Sequence, residues 1–371
     1  MHTLMQTRRE ALRKKLAQKA LGSLMVSVAE NRRYLSGFTG EDGQFDESAG
    51  FLFVTADDAL LATDSRYLLQ AEKEAGDCTI FCYRESPAKA LAEIAAKLKI
   101  RKMGFESRRV SFKQFDEFRR ALEKAHSLVE LTPTENIVEE LRVVKQQVEI
   151  EATRKALAVA ESAFMETISL LRPGMTEKEV AWLLEKSMRQ AGADSLSFPT
   201  IVAAGPNSAL PHAVPTDRAI QVGEPILFDW GARVDGYCSD TSRTLILGAA
   251  SDEFRRVFDT VRQAQQMAIQ AIRAGASTKQ VDSVARDYIE KNGFKGKFGH
   301  ALGHGTGLAI HEGPRLSPLR DSALDECALV TVEPGIYVPG WGGVRLENQV
   351  VVRKKEAEVL NRLDLEIELS S

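Results

Sequence analysis

The stretch ILFDWGARVDGYCSDTSRTLIL, residues 226–247, constrains the fold more than any other part of the sequence. Two runs of apolar and β-branched residues flank Asp235-Gly236, a dipeptide suited to the two-residue turn of an antiparallel hairpin, in which both central residues take positive φ. With that turn, Val234 faces Tyr237 and, counting back along the ladder, Asp229 faces Ser242. Asp240 lies two residues from Ser242 on the same strand, so it projects to the same face as Asp229, about 7–8 Å away on the diagonal. Two carboxylates held together repel, and one must take up a proton unless a cation joins them. On a solvated face no cation is needed, so the hairpin alone leaves both readings open.

The rest of the chain sets the context. Its 371 residues, 44% hydrophobic and 27% charged, suffice for two domains with cores of their own. A formal net charge of -3 supplies no polycationic field, so neither nucleic acid nor an acidic membrane is an expected partner. The opening MHTLMQTRREALRKKLAQKALGSLMVSV lacks an apolar stretch followed by a small-residue cleavage site, and no later run has the 18 or so apolar residues of a membrane span. A cytoplasmic location is expected. Cys78, Cys82, Cys238 and Cys327 are too scattered for a disulfide framework and read as free thiols.

In the first third, strand-like patches (LGSLMVSV, GFLFVTADDALLATD) alternate with helix-like ones (RYLLQAEKEAG, SPAKALAEIAAKLKI), which predicts an α/β domain. At LTPTEN turn and capping residues precede a long amphipathic helical pattern, and the boundary is expected there: 1–131 and 132–371. The second part alternates helices with paired strands in two rounds, an α+β pattern that hints at an internal duplication.

Three further segments join the hairpin acids. FGHALGHGTGLAIHEGP holds His300, His304 and His311, half of the six histidines; TVEPG holds Glu333, and GGVRLENQVVV holds Glu347. A set of Asp229, Asp240, His304, Glu333 and Glu347 is mostly oxygen with one imidazole, which suits Mn, Co, Fe or Zn and is common in two-metal sites. GHGTG lacks the Lys-Ser/Thr of a phosphate-binding loop, HEGPR lacks a second His of a zinc helix, and no Gly-x-Ser-x-Gly elbow occurs.

In order and phrase, these five residues, with PHAVPTDR, GHGTGLAIHEGP, VEPGIYV and GGVRLEN, resemble the pita-bread metallopeptidases, specifically the proline-specific branch of aminopeptidase P and prolidase. NRRYLSGFTG and TDSRYLLQA resemble the amino-terminal domain of the same proteins and of creatinase. The resemblance implies a creatinase-like α/β domain followed by a pita-bread catalytic domain that releases the first residue from short peptides with proline second. It implies two divalent ions, manganese foremost, with Asp229 on one, Asp240 and Glu347 bridging, and His304 and Glu333 completing the other. By the same resemblance Glu333 carries a proton, His212 and His311 stabilise the oxyanion, and His300 and Arg345 hold the proline side, with Arg345 meeting a carboxylate. Asn348 stands where many relatives have Asp; following a ligand along a strand, it is expected to face away.

A prolidase would use the same centre on dipeptides only. Methionine aminopeptidase shares the ligands but is usually built without such a first domain, a creatinase-like amidinohydrolase needs no metal set, and a pita-bread binding module would have lost ligands that are present here. The resemblance also implies a homodimer in which the loop FTGEDGQFDESAGF, with Phe38 and Phe45, limits peptide length. Light scattering checks the assembly: a single species near the chain mass of 40.9 kDa excludes the dimer.

Overall fold

Short apolar runs bounded by Gly, Asp and Thr become the strands of the first unit, Met1–Leu141. They are β1 (Ser23–Val26), β2 (Phe51–Thr55), β3 (Ala59–Thr63), β4 (Thr79–Cys82), β5 (Lys102–Glu106) and β6 (Glu130–Thr134). The computed structural model describes residues 3–43 and 47–365. The six strands form one mixed sheet in the order β4-β3-β2-β1-β5-β6. β2 is antiparallel to β1 and β3, and the other pairs are parallel. Helices Pro87–Lys97 and Phe112–Lys124 begin where the hydroxyls of Ser86 and Ser111 accept from the amides of Lys89 and Gln114, and they cover one face through Leu91, Ile94, Phe118 and Leu122.

The division after Leu141 keeps β6 whole, whereas a boundary at residue 131 cuts it. Pro133, which marks a turn in the sequence, instead pairs with Phe105 on the outermost strand, where a missing N–H is tolerated. The loop expected to limit peptide length is tied into its own unit. Phe38 is fully buried with its ring edge-on to Tyr67, and Asp42 accepts from Arg32, Arg109 and the Ala49 amide. Phe45 lies outside the described residues.

The second unit, Arg142–Ser371, repeats one plan twice. Helices Gln147–Leu170 and Glu177–Gln190 are followed by β7 (Ser195–Leu196), β8 (Ile201–Ala204), β9 (Pro225–Trp230), β10 (Ala232–Val234), β11 (Tyr237–Cys238) and β12 (Thr241–Ile246). Helices Asp252–Ala271 and Thr278–Ile289 are followed by β13 (Gly303–Gly305), β14 (Glu312–Leu316), β15 (Leu329–Val332), β16 (Gly335–Val338), β17 (Gly342–Arg345), β18 (Asn348–Val352) and β19 (Ala357–Val359). Each helix pair buries its apolar stripe on its own strands, with Phe164 stacked on Trp230 in the first round and Val261 and Ala264 packed with Val330 and Val350 in the second. The sheets are β12-β9-β8, β11-β10-β7, β14-β13-β15-β18-β19 and the pair β16-β17. Among the described residues no helix is long and apolar enough to cross a membrane, and the four cysteines are free.

The hairpin forms as its turn dictates. Asp235 and Gly236 have φ of 50° and 77°, Val234 pairs with Tyr237, and Asp229 pairs with Ser242. Its strands are not continuous, however. Each breaks once, at Gly231 and at Ser239-Asp240, as the chain passes from the β9-β12 ladder to the β10-β11 ladder. GGVRLENQVVV breaks likewise at Leu346-Glu347, where the chain leaves β16 for β15 as its partner, and β15 itself stops at Glu333-Pro334.

Candidate metal centre

Asp240, Glu333 and Glu347 each stand at one of those corners, where a strand changes partners and its side chains are no longer bound to strict alternation. Asp229 is the last residue but one of β9, and His304 is the centre of β13, beside a register shift at His304-Gly305. Only glycine serves at 303, since a Cβ there would lie 2.0 Å from the Thr331 carbonyl oxygen across the ladder.

The corners converge. Asp229, Asp240 and Glu347 each bring an oxygen to within 4.8 Å of the others, and Nε2 of His304 lies 3.5 Å from Asp240 Oδ2 and 3.4 Å from Glu333 Oε1. All five line one cavity of about 540 Å³ with His212, His300, His311, Arg315 and Arg345. Around them Ser242 Oγ donates to Glu347 at 2.7 Å and Thr331 Oγ1 to Glu333 at 3.0 Å. Gln349, fully buried, accepts from the Asp240 amide and donates to Thr306, replacing the ladder bond lost at the corner.

These residues fit a divalent cation. Asp229 Oδ1 is buried without a hydrogen-bond partner, its other oxygen alone being held by Arg345, although buried polar atoms normally find one. His304 Nδ1 sits 3.0 Å from the Gly305 carbonyl, which can only accept, so Nδ1 carries the proton and the Nε2 lone pair points between two carboxylates. Burial pushes that imidazole down to about 4, so it stays neutral. A lone pair aimed at two anions is repelled unless a cation lies among them. The carboxylates agree: burial, and then mutual repulsion with Glu347 or Glu333 foremost, raises Asp240 and Glu347 well above the usual range, and burial raises Glu333 to about 8.

A pH dependence follows. A carboxylate whose folded pKa exceeds its unfolded value of about 4.3 stabilises the fold below that value and loses the contribution as pH rises through the folded one. The depressed histidines His300 and His304 act oppositely, but only below about pH 6.5. Chelator-treated protein should therefore lose melting temperature between about pH 7 and pH 8.5, and a saturating divalent cation, replacing the protons, should flatten that loss. Equal slopes with and without cation would show that these carboxylates do not share an ion.

Two expected substrate contacts are engaged within the protein. Arg345 is buried and donates to Asp229 Oδ2 at 2.6 Å, Ser242 Oγ at 2.9 Å, Tyr337 Oη at 2.9 Å and the Pro211 carbonyl at 3.2 Å, so it braces Asp229 rather than offering a fork to a substrate. His300 has Nδ1 at 2.8 Å from the Ala301 carbonyl and Nε2 at 2.9 Å from Tyr337 Oη, which leaves neither nitrogen for a substrate. Asn348 faces away as expected and accepts from the buried Arg243. His212 and His311 are exposed on the cavity wall, with the His311 ring edge-on to His304 at 4.4 Å between centroids. Arg315 is a cation on this wall that the sequence reading passed over, although it stands four residues beyond His311 in the same phrase and pairs in register with His304.

Comparison with known proteins agrees with this geometry. Residues 151–354 match Metallopeptidase family M24, and residues 8–144 match the Creatinase/Prolidase N-terminal domain. An Xaa-Pro dipeptidase of Pyrococcus furiosus is 33% identical over 98% of this chain and 100% of its own length. The solved structure of an Xaa-Pro dipeptidase from Bacillus anthracis superposes with a TM-score of 0.92 at 35% identity, covering 99% of this chain and 100% of that one. An X-Pro aminopeptidase from Thermotoga maritima gives 0.87 at 36% identity, over 96% and 100%. With both of its domains matched and its acids and imidazole gathered in one cavity, the chain belongs to Metallopeptidase family M24 and is a pita-bread peptidase.

Proposed function

We propose that this protein is a divalent-metal Xaa-Pro dipeptidase. The resemblance put the aminopeptidase first, but dipeptidases matched from end to end in both sequence and structure favour the shorter substrate. The observation that carries the chemistry is the unpartnered Asp229 Oδ1 among carboxylates that cannot all ionise without a cation. Asp229, Asp240, His304, Glu333 and Glu347 would hold two ions, manganese foremost and cobalt, zinc or iron as alternatives. When bound, such ions polarise a carbonyl and acidify water near neutral pH.

The chain's own groups do the rest. The departing nitrogen of an Xaa-Pro bond, like any amide nitrogen, must gain a proton to leave, and being tertiary it has no N–H by which the enzyme could hold it. Glu333, bonded by Thr331 at Oε1 only, is placed to hold that proton on its other oxygen. His311 and His212 are imidazoles outside the ligand set, able to donate to the carbonyl oxygen as it gains charge. Phe198, Pro199, Ile201 and Val214 supply an apolar wall for a pyrrolidine ring, and Arg315 is the cation that can meet a carboxylate directly after it. A dipeptide presents its carboxylate at that point, whereas a tripeptide presents an amide.

The test is a side-by-side assay of metal-reconstituted enzyme on Xaa-Pro, Xaa-Pro-Yaa and Met-Ala-Ser. Hydrolysis of the dipeptide alone is expected. Faster cleavage of Xaa-Pro-Yaa would favour the aminopeptidase reading, to which the Thermotoga maritima structure lends support.

A further inference from the structure

The turn that carries His311 is held by a buried ion cluster outside the metal centre. Glu312 accepts from Arg142 and the Ala309 amide at one carboxylate oxygen and from Lys145 Nζ at the other, 3.0 Å away. The three side chains are 7%, 4% and 2% exposed, in the order Glu312, Arg142 and Lys145. The cations are anchored in turn, since Val144 bridges Ala328 and the Lys145 amide donates to the Cys327 carbonyl. The carboxylate also fills the inside of the turn: a Cβ on Gly307 would lie 2.7 Å from Glu312 Oε1. The Gly307 amide donates to the Ala309 carbonyl, and its own carbonyl accepts from Cys238, so the turn is fixed at both ends.

A buried ion pair contributes little net stability compared with apolar side chains of the same volume, because desolvation offsets the attraction. Its geometry, however, is rigid. His311 is the last residue of the bend and Glu312 the first of β14, so locking the Glu312 side chain into the cluster fixes the backbone from which His311 projects onto the cavity wall beside His304. We propose that Glu312, clamped by Arg142 and Lys145, is a positioning residue that acts on the reaction through His311. This rests on the role given to His311 in the peptidase reading.

A double-mutant cycle tests it, with metal content and melting temperature followed beside the kinetics on an Xaa-Pro dipeptide. Glu312→Gln should lower kcat by about tenfold to a hundredfold, the scale of a misplacement near 1 Å, with KM changed less than about twofold and metal retained. In a His311→Ala background the same substitution should cost less than about twofold, because the group it positions is gone. An equal loss in both backgrounds, or loss of metal with activity, would overturn the proposal. If Glu312→Gln does not fold, Lys145→Met, which keeps the Arg142 pair, carries the same cycle. Full kcat in His311→Ala alone would remove the role of His311, and the proposal with it; an unchanged kcat in Glu312→Gln beside an impaired His311→Ala would sink the proposal and leave the peptidase reading standing.

Discussion

Asp240→Asn should abolish hydrolysis of Xaa-Pro dipeptides and weaken divalent-cation binding by about a hundredfold or more, because it removes a full ligand charge rather than a supporting hydrogen bond, whose loss costs about tenfold to a hundredfold. Asp240 is 4% exposed, and its carboxylate lies 3.5 Å from His304 Nε2 with an oxygen within 4.8 Å of those of Asp229 and Glu347, which suits the shared ligand proposed for it. The substitution keeps shape and removes charge, so folding and binding can be separated. Asparagine takes away one member of a repelling set, and the metal-free variant should melt no lower than the metal-free parent at about pH 8. Isothermal titration with manganese and metal analysis of the purified variant provide the check. Two tightly held ions and full turnover would rule out Asp240 as the shared ligand.

His311→Ala should behave in the opposite way, keeping its metal while kcat falls by about a hundredfold, the usual scale for removing a hydrogen bond made to a developing oxyanion. The geometry separates the two histidines. His304 points its free lone pair at the carboxylates, whereas His311 meets the His304 ring edge-on from the exposed side of the cavity. Its ring is held below the ordinary histidine range, by burial first and then by Arg315 and His212, which favours the neutral donor that the proposed role requires. Loss of metal along with turnover would place His311 among the ligands instead.

Much of this was legible in the chain because the deciding forces are local. Asp235-Gly236 imposed its turn, and the pairing of Asp229 with Ser242 followed by counting. Thr176, Ser251 and Ser277 cap their helices, each accepting from the amide three residues on, an interaction settled within one turn of chain. The corners were not legible, since the apolar pattern of GGVRLENQVVV continues through Leu346-Glu347 while its partners, β16 and then β15, change for reasons of tertiary packing. For the same reason the protein partners of Arg345 and His300 were not legible. Nothing near Arg345 in the chain reveals that Asp229, more than a hundred positions earlier, receives its guanidinium. Pro133 misled in a different way, because a proline that reads as a turn is also tolerated on an outermost strand.

The gathering of acids at strand corners also bears on how the catalytic unit coheres. Asp229 and Asp240 come from the first round of helices and strands, His304, Glu333 and Glu347 from the second, and each round has its own apolar core. An ion held by both sets closes a chain loop of roughly a hundred residues, and a cross-link across so long a loop restricts the unfolded ensemble about as strongly as a disulfide would. Such an ion would be a reversible staple as well as a reagent: withdrawing it should leave the two rounds joined by protein contacts such as Ser242 with Glu347 and Thr244 with Arg345, and amide exchange at β12 and β18 should rise before either core has melted.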